Sequence, residues 1–189
     1  MSMWIDFIGS YIIGGIILLI LFNLNSTIST AASENLHSGI MQRNVTSTAD
    51  LIEHDIYKIG YRVAGADFAI ADSNEIKFSA DIDDNGTAEV IHYYCGDKTE
   101  LNGTFNPNDF LLIREINAVE PGAKTAVVDF NVTYFDSLSQ QINYNLLTTQ
   151  AGMNQIRSLR IKLKCETEDK IDDHYEAAEW EKTMIPKNL

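Results

Sequence analysis

Residues 7–24, FIGSYIIGGIILLILFNL, decide the architecture of this chain. The stretch contains no charged residue, and a helix of this length, at about 1.5 Å per residue, spans about 27 Å, close to the hydrocarbon thickness of a bilayer. No Lys or Arg precedes the stretch and no small-x-small cleavage pattern follows it, which disfavours a cleaved secretory signal. We therefore expect an uncleaved membrane helix over residues 4–24.

The helical pattern does not stop at residue 24. Apolar residues continue at steps of three or four, with polar residues between them, which is the spacing of one face of an α-helix. These residues are Ile28, Ala32, Leu36, Ile40, Met41, Val45, Ala49, Ile52, Ile56, Ile59 and Val63. The sequence therefore predicts one proline-free helix over residues 1–63, with 4–24 in a membrane or filament core and 25–63 as an amphipathic half. We expect residues 28–63 to pack against the soluble domain.

Beyond residue 63 the apolar period changes from 3.6 to 2, which is typical of half-buried β-strands. Residues 76–80 and 88–95 alternate on either side of the turn residues Asp84, Asn85 and Gly86. An Asn-Gly pair between two alternating segments is a strong hairpin signal. The sequence therefore predicts a β-hairpin here.

The same alternation predicts further strands and leaves two segments outside them. The strands cover residues 110–116, 128–134 and 158–165. We interpret EPGAK, residues 120–124, as a turn, and the acidic tail after residue 165 as solvated until a short closing segment at 183–185. Residues 64–189 then form one β-rich domain. The fold class is α+β, a long N-terminal membrane-spanning helix packed on an antiparallel sheet.

Composition limits the number of domains and the classes of partner. The 189 residues carry 27 acidic side chains against 14 Lys and Arg, a formal charge of −13. Nucleic-acid binding depends on clustered cations that release counterions, so nucleic acid is excluded as a partner. The length allows the membrane helix and one soluble domain. The histidines are scattered and no hydrolase, zinc-protease or phosphate-loop motif is present, so we do not expect an enzyme.

One ionisable residue, Asp6, lies at the edge of the membrane stretch, two positions after Trp4. A carboxylate costs about 2.5–3.5 kcal/mol at the centre of a membrane helix and less near its end. Two interpretations stay open. Asp6 lies at the headgroup level beside Trp4, or it neutralises a positive group, such as the terminal amine of a neighbouring copy, inside an assembly. Gly14 and Gly15 would allow other helices to approach closely.

Acidic and amide residues fill the predicted hairpin turn, DIDDNGTAE, at 81–89. Their oxygens alternate as in the first part of an EF-hand calcium loop. The candidate ligands are Asp81, Asp83, Asn85, Thr87 and Glu89. The closing position holds His92 instead of a bidentate glutamate. A calcium site and a metal-free Asn-Gly turn that needs these residues for positive φ both stay open.

The two cysteines, Cys95 and Cys165, allow two interpretations. In an oxidising compartment they are a candidate disulfide, and closing a loop of about 70 residues would contribute about 4 kcal/mol in the chain-entropy model. The alternative is a pair of small buried thiols.

Six segments of this chain are similar to segments that occur in the same order in a known protein family. They are LIEHDIYKIGYRV (51–63), IKFSADIDDNGTAEVIHYY (76–94), LIREINAVEPG (112–122), VVDFNVTYFD (127–136), IRSLRIKLKC (156–165) and MIPKNL (184–189). Together they resemble the type IV pilin superfamily, in particular the minor pilins and pseudopilins of the W and J type. The prepilin cleavage motif, a basic leader and a glycine before Phe-Thr-Leu-x-Glu, is not present in MSMWIDF. If Met1 alone were removed, Asp6 would be the fifth residue, where the family has a glutamate that pairs with a neighbouring subunit's amine.

The resemblance implies a structural subunit of a pilus or of a type II secretion pseudopilus-like filament, a minor or tip component. Such a subunit assembles through its N-terminal helix with copies of itself or other pilin-like subunits. It contacts membrane lipid and an inner-membrane assembly platform, and its β-rich domain is periplasmic or extracellular. No cofactor is implied apart from the calcium considered above. The alternative is a single-pass membrane-anchored extracytoplasmic binding or assembly protein.

Overall fold

The computed structural model describes residues 2–65, 67–98, 101, 104–170 and 173–189. The chain divides into two units, Met1–Gly39 and Ile40–Leu189. The first unit is helical, and the second contains the end of the same helix together with two antiparallel β-sheets. The α+β class expected from the sequence is confirmed.

The first element is one long helix, α1, Ser2–Tyr57. The sequence predicted a helix up to residue 63, but the α-helical pattern gives way to tighter turns after Tyr57, where Ile59 N donates to Ile56 O at 3.2 Å. Gly60 then adopts a φ of +75°, a left-handed conformation that commonly ends helices and that glycine adopts without strain.

The buried face of α1 begins at Met41 and not at residue 28. From Met41 onward, five apolar side chains on this face are nearly inaccessible: Met41, Val45, Ala49, Ile52 and Ile56. Upstream, the predicted stripe is exposed, with Ile28 at 58%, Leu36 at 63% and Ile40 at 51% relative accessibility. The expectation that the face from residue 28 onward is covered by the chain's own domain is therefore wrong for residues 28–40.

The larger sheet is a five-stranded antiparallel meander in which strands adjacent in sequence are neighbours. Its strands are β1 Phe68–Ala71, β2 Glu75–Ala80, β3 Glu89–Cys95, β4 Phe110–Ile116 and β5 Val119–Val127. Ile76, Phe78 and Ala80 of β2 are buried while their neighbours face outward, as the period of two requires. The predicted hairpin and the predicted strand at 110–116 are confirmed.

The turn between β4 and β5 is not where the sequence placed it. EPGAK lies inside β5, and its Ala123 pairs with Arg114 of β4. The chain reverses instead at Asn117 and Ala118, whose φ values of 54° and 57° are those of a type I′ turn. Because neither residue is glycine, the usual sequence signal of such a turn is missing here.

The smaller sheet has three antiparallel strands in the order β6 Asp129–Phe135, β7 Ser158–Glu166 and β8 Ala177–Met184. From sequence, the tail was interpreted as solvated and acidic up to a closing segment at 183–185. The structure corrects this by placing residues 177–184 in strand β8, although most of its side chains are exposed or half-buried. Its acidic side chains lie beside the basic face of β7, with Lys162 Nζ 3.5 Å from Glu179 Oε1. Glu179 and Glu181, two positions apart, therefore lie on the same face of an edge strand.

The two sheets and the buried face of α1 share one hydrophobic cluster. A direct backbone bond joins the sheets, because Val132 N of β6 donates to Ser73 O between β1 and β2 at 2.7 Å. Between β6 and β7 lie a 3₁₀ turn, Tyr144–Leu146, and a single-turn helix, α2 Gln150–Met153.

Candidate functional site

The turn between β2 and β3 is built by its own side chains. Asp83 Oδ1 accepts from Asn85 N at 3.1 Å, and Asn85 Oδ1 accepts from Thr87 N at 2.7 Å. Asp84 and Gly86 have φ values of 61° and 91°. Asp and Gly adopt positive φ more readily than most other residues, which explains their place in this turn. Asn85 and Thr87 therefore shape the turn.

Three of the five predicted ligands come together in this turn. Asp81, Asp83 and Glu89 each offer a carboxylate oxygen, and these three oxygens lie within 4.8 Å of one another. Asp81 and Glu89 are buried, whereas Asp83 is exposed. Glu89 Oε2 also accepts a hydrogen bond from Ile82 N at 3.0 Å, which fixes the orientation of that carboxylate.

The two oxygens of Asp81 have different surroundings. Oδ2 accepts from Gly86 N at 2.9 Å and from Arg62 Nη1 at 2.9 Å. Oδ1 is buried, and no hydrogen-bond donor among the described residues reaches it. Burial raises the pKa of Asp81, but the bonds from Arg62 and Gly86 outweigh that effect and hold the pKa below its usual range. Asp81 is therefore ionised at neutral pH.

Two cations from the turn after α1 hold this loop in place. Lys58 Nζ donates to Ile82 O at 2.8 Å and to Asp84 Oδ2 at 3.0 Å. Arg62 reaches Asp81 from the same segment. Sequence analysis missed both residues, because their partners lie about 20 positions away along the chain. The sequence did contain one indication: Lys58 and Arg62 are two cations spaced by four just after a helix, and an acidic turn follows them in the chain.

The predicted assembly residues lie along the exposed surface of α1. Trp4 is 75% accessible, Asp6 is exposed, and Ser10 Oγ donates to the backbone oxygen of Asp6 at 2.9 Å. Nothing lies within 4 Å of a Cβ built on Gly14 or Gly15, so that surface is open to a neighbouring helix. By length and composition α1 is able to cross a membrane, and it is the one such helix among the described residues.

The disulfide is not confirmed, because Cys95 and Cys165 are both free thiols. Cys95 Sγ donates to Asn74 O at 3.5 Å, and Cys165 Sγ to Ala126 O at 3.4 Å. Burial raises the pKa of each thiol to about 11, and nearby carboxylates add to the rise. The structure agrees with the second interpretation, in which the two cysteines are small, largely buried thiols.

No protein-family model matches the chain, and neither the curated proteins nor the solved structures include one that is significantly similar to it. The long N-terminal helix and the antiparallel sheets are nevertheless compatible with a pilin-like architecture.

Proposed function

We propose that this protein is a structural subunit of a pilus or of a type II secretion pseudopilus-like filament, a minor or tip component that assembles through α1. The globular unit would face the periplasm or the cell exterior, with α1 in the inner membrane before assembly. Copies of the chain or other pilin-like subunits would then replace lipid around the helix. The order of the family-like segments and the α+β architecture both support this proposal.

The observation that carries the proposal is the exposed apolar stripe of Ile28, Leu36 and Ile40. A bilayer core accommodates about 20 residues of a helix, so residues 4–24 already suffice for an anchor. The stripe lies farther along α1, among Ser, Thr, Asn and Glu residues. A plain anchor has no use for apolar residues there, whereas a helix that packs among other helices needs them.

The energetics favour neighbouring helices as the cover for this stripe. Fully burying one Leu or Ile side chain contributes about 1.5–3 kcal/mol. Within the membrane span the gain is smaller, because lipid is as apolar as another helix, and close packing at small residues such as Gly14 and Gly15 becomes the main term. Moving the apolar membrane span from the bilayer into a helical bundle therefore costs little free energy. Burying the stripe against neighbouring helices then stabilises the bundle.

Asp6 would fix the position of each subunit relative to its neighbours. A carboxylate near the start of a membrane span is costly unless it finds a partner. In a bundle of parallel copies, we propose that Asp6 pairs with the terminal amine of a neighbouring subunit. Pairing the two would offset the cost and fix the axial position of each subunit.

The proposal is tested by recovering the protein from sheared surface filaments and, separately, from membranes. We expect wild type in both fractions. Asp6→Asn should lower the filament fraction by about tenfold, the effect of losing about 1.4 kcal/mol of pairing, and leave the membrane fraction unchanged. The charge-conserving Asp6→Glu is the matched control and should assemble.

Two results would contradict the proposal in different ways. Wild type found only in membranes would favour the anchored binding or assembly protein. Assembly of Asp6→Asn at the wild-type level would reject the pairing while leaving the filament intact.

A further inference from the structure

We propose that the turn between β2 and β3 binds a calcium ion through Asp81, Asp83 and Glu89. This site is independent of the filament function, since it uses none of the residues of the membrane helix. It would make the turn a cation-dependent element that fastens the larger sheet to the segment after α1.

The spacing of the carboxylates suits calcium. Calcium takes oxygen ligands at about 2.3–2.6 Å, so two oxygens bound to one ion lie no more than about 5 Å apart. The oxygens offered by Asp81, Asp83 and Glu89 meet this limit, at 4.8 Å or less from one another. Arg62 compensates the charge of Asp81, and Lys58 that of Asp84, but within the described ranges Asp83 and Glu89 have no ion pair with either cation.

An independent observation points to a missing ligand. Asp81 has no accessible surface, yet its Oδ1 has no hydrogen-bond donor among the described residues. Buried charged oxygens in proteins are paired or coordinate a metal. Gly86 and Arg62 both bind the other oxygen, Oδ2, so Oδ1 is the atom left for a cation.

Arg62 does not substitute for the ion. Its Nη1 lies 2.9 Å from Oδ2 of Asp81, and its second contact in the loop is to the backbone oxygen of Asp84 at 3.4 Å. In the part of the chain that the structure describes, no hydrogen bond from Arg62 reaches Asp83 or Glu89. The guanidinium and a bound calcium would therefore use different oxygens of Asp81.

The ligand chemistry selects the metal and its approximate affinity. All the donors are oxygens on a flexible turn, which suits calcium better than magnesium, because magnesium demands near-octahedral geometry and gives up water reluctantly. His92 stands where an EF-hand has its bidentate glutamate, and the side chain of His92 is engaged by Glu75 Oε1 at 2.8 Å. With that ligand replaced, we expect a dissociation constant of about 10⁻⁴–10⁻³ M, the range of extracellular calcium modules.

The test is calorimetric titration of the chelator-treated full chain in detergent with calcium, and with magnesium as the competitor. Asp83→Asn removes one ligand charge at an exposed position and should weaken calcium binding by about tenfold or more. Asp84→Asn makes the same change one residue away, where the side chain binds Lys58, and should leave the affinity within about twofold. Calcium should also slow amide hydrogen exchange over residues 81–89.

Absence of calcium binding at millimolar concentration would overturn the proposal. Equal losses in Asp83→Asn and Asp84→Asn would do the same, because they would indicate a nonspecific effect of the loop's charge. Asp81→Asn serves as a further check if it remains folded by circular dichroism, since it alters the buried carboxylate itself and should abolish binding.

Discussion

Arg114 Nε donates a hydrogen bond to Asp55 Oδ2 across 2.6 Å, joining strand β4 to the C-terminal part of α1. Asp55 has no accessible surface, and Tyr93 OH of β3 donates to the same oxygen at 2.7 Å. Burial and the neighbouring Asp55 carboxylate raise the pKa of Tyr93 well above its usual value, so the phenol stays a donor at neutral pH. One carboxylate thus fixes the helix to two adjacent strands.

Removing the Asp55 charge should destabilise the globular unit. Breaking a buried pair by neutralising one partner leaves Arg114 without compensation, and we expect Asp55→Asn to lower the free energy of unfolding by about 3 kcal/mol. Asp50→Asn is the matched control, since Asp50 is an exposed residue of the same helix, and it should change stability by less than about 0.5 kcal/mol. Denaturant unfolding followed by tryptophan fluorescence measures both. Similar losses in the two variants would contradict the role given to Asp55.

The thiols should react slowly and with a displaced pH profile. Only the thiolate is alkylated, and burial raises the pKa of Cys95 and Cys165 from 9.0 to about 11. In the folded chain the rate of alkylation should therefore keep rising between pH 9.0 and about 11, whereas in denaturant it should level off near the lower value. Peptide mass spectrometry after timed labelling reports each cysteine. Failure of the denatured, unreduced chain to take any label would show a disulfide and contradict the free thiols.

Gly152 of α2 should not tolerate a side chain. A Cβ at this position would overlap the backbone oxygen of Leu146, and a backbone atom cannot move aside as a flexible side chain does. We expect Gly152→Ala to cost about 3 kcal/mol, the upper part of the range for overpacking. Gly65→Ala is the control, because nothing lies within 4 Å of a Cβ there. A denaturation midpoint equal to wild type in Gly152→Ala would contradict the packing at this position.

Burial alternates along most of the strands that the sequence predicted. Strands β2, β3, β6 and β7 have one face in the core, so period two is visible in their residues. Strand β4 is the exception, because the consecutive residues Leu112 and Ile113 are both buried. The missed strands lack that signal for physical reasons. Strand β1 has only four residues, β5 contains a Pro-Gly pair that is typical of turns, and β8 alternates acidic with other residues at an exposed edge.

The candidate site was predictable only where its residues are close in sequence. Asp81, Asp83 and Glu89 lie within nine residues of one another, so their spacing made them candidates, together with Asn85 and Thr87, before the structure showed that three of the five come together. Lys58 and Arg62 approach them through the fold, and spacing cannot reveal that. The Asp55 carboxylate offered one signal, since it lies on the same helical face as Ile52 and Ile56, where an acid is out of place unless it has a buried partner.

In the proposed filament, the exposed stripe of α1 packs against helices of neighbouring subunits. This packing is tested by a photo-crosslinking amino acid placed at Leu36 and, as the matched control, at Glu34 in cells that make the protein. At about 100° per residue the two positions face opposite sides of the helix. We predict crosslinks from position 36 to copies of this chain or to pilin-like subunits, identified by mass spectrometry, and few from position 34. Equal or absent crosslinking at the two positions would contradict the proposed packing of α1.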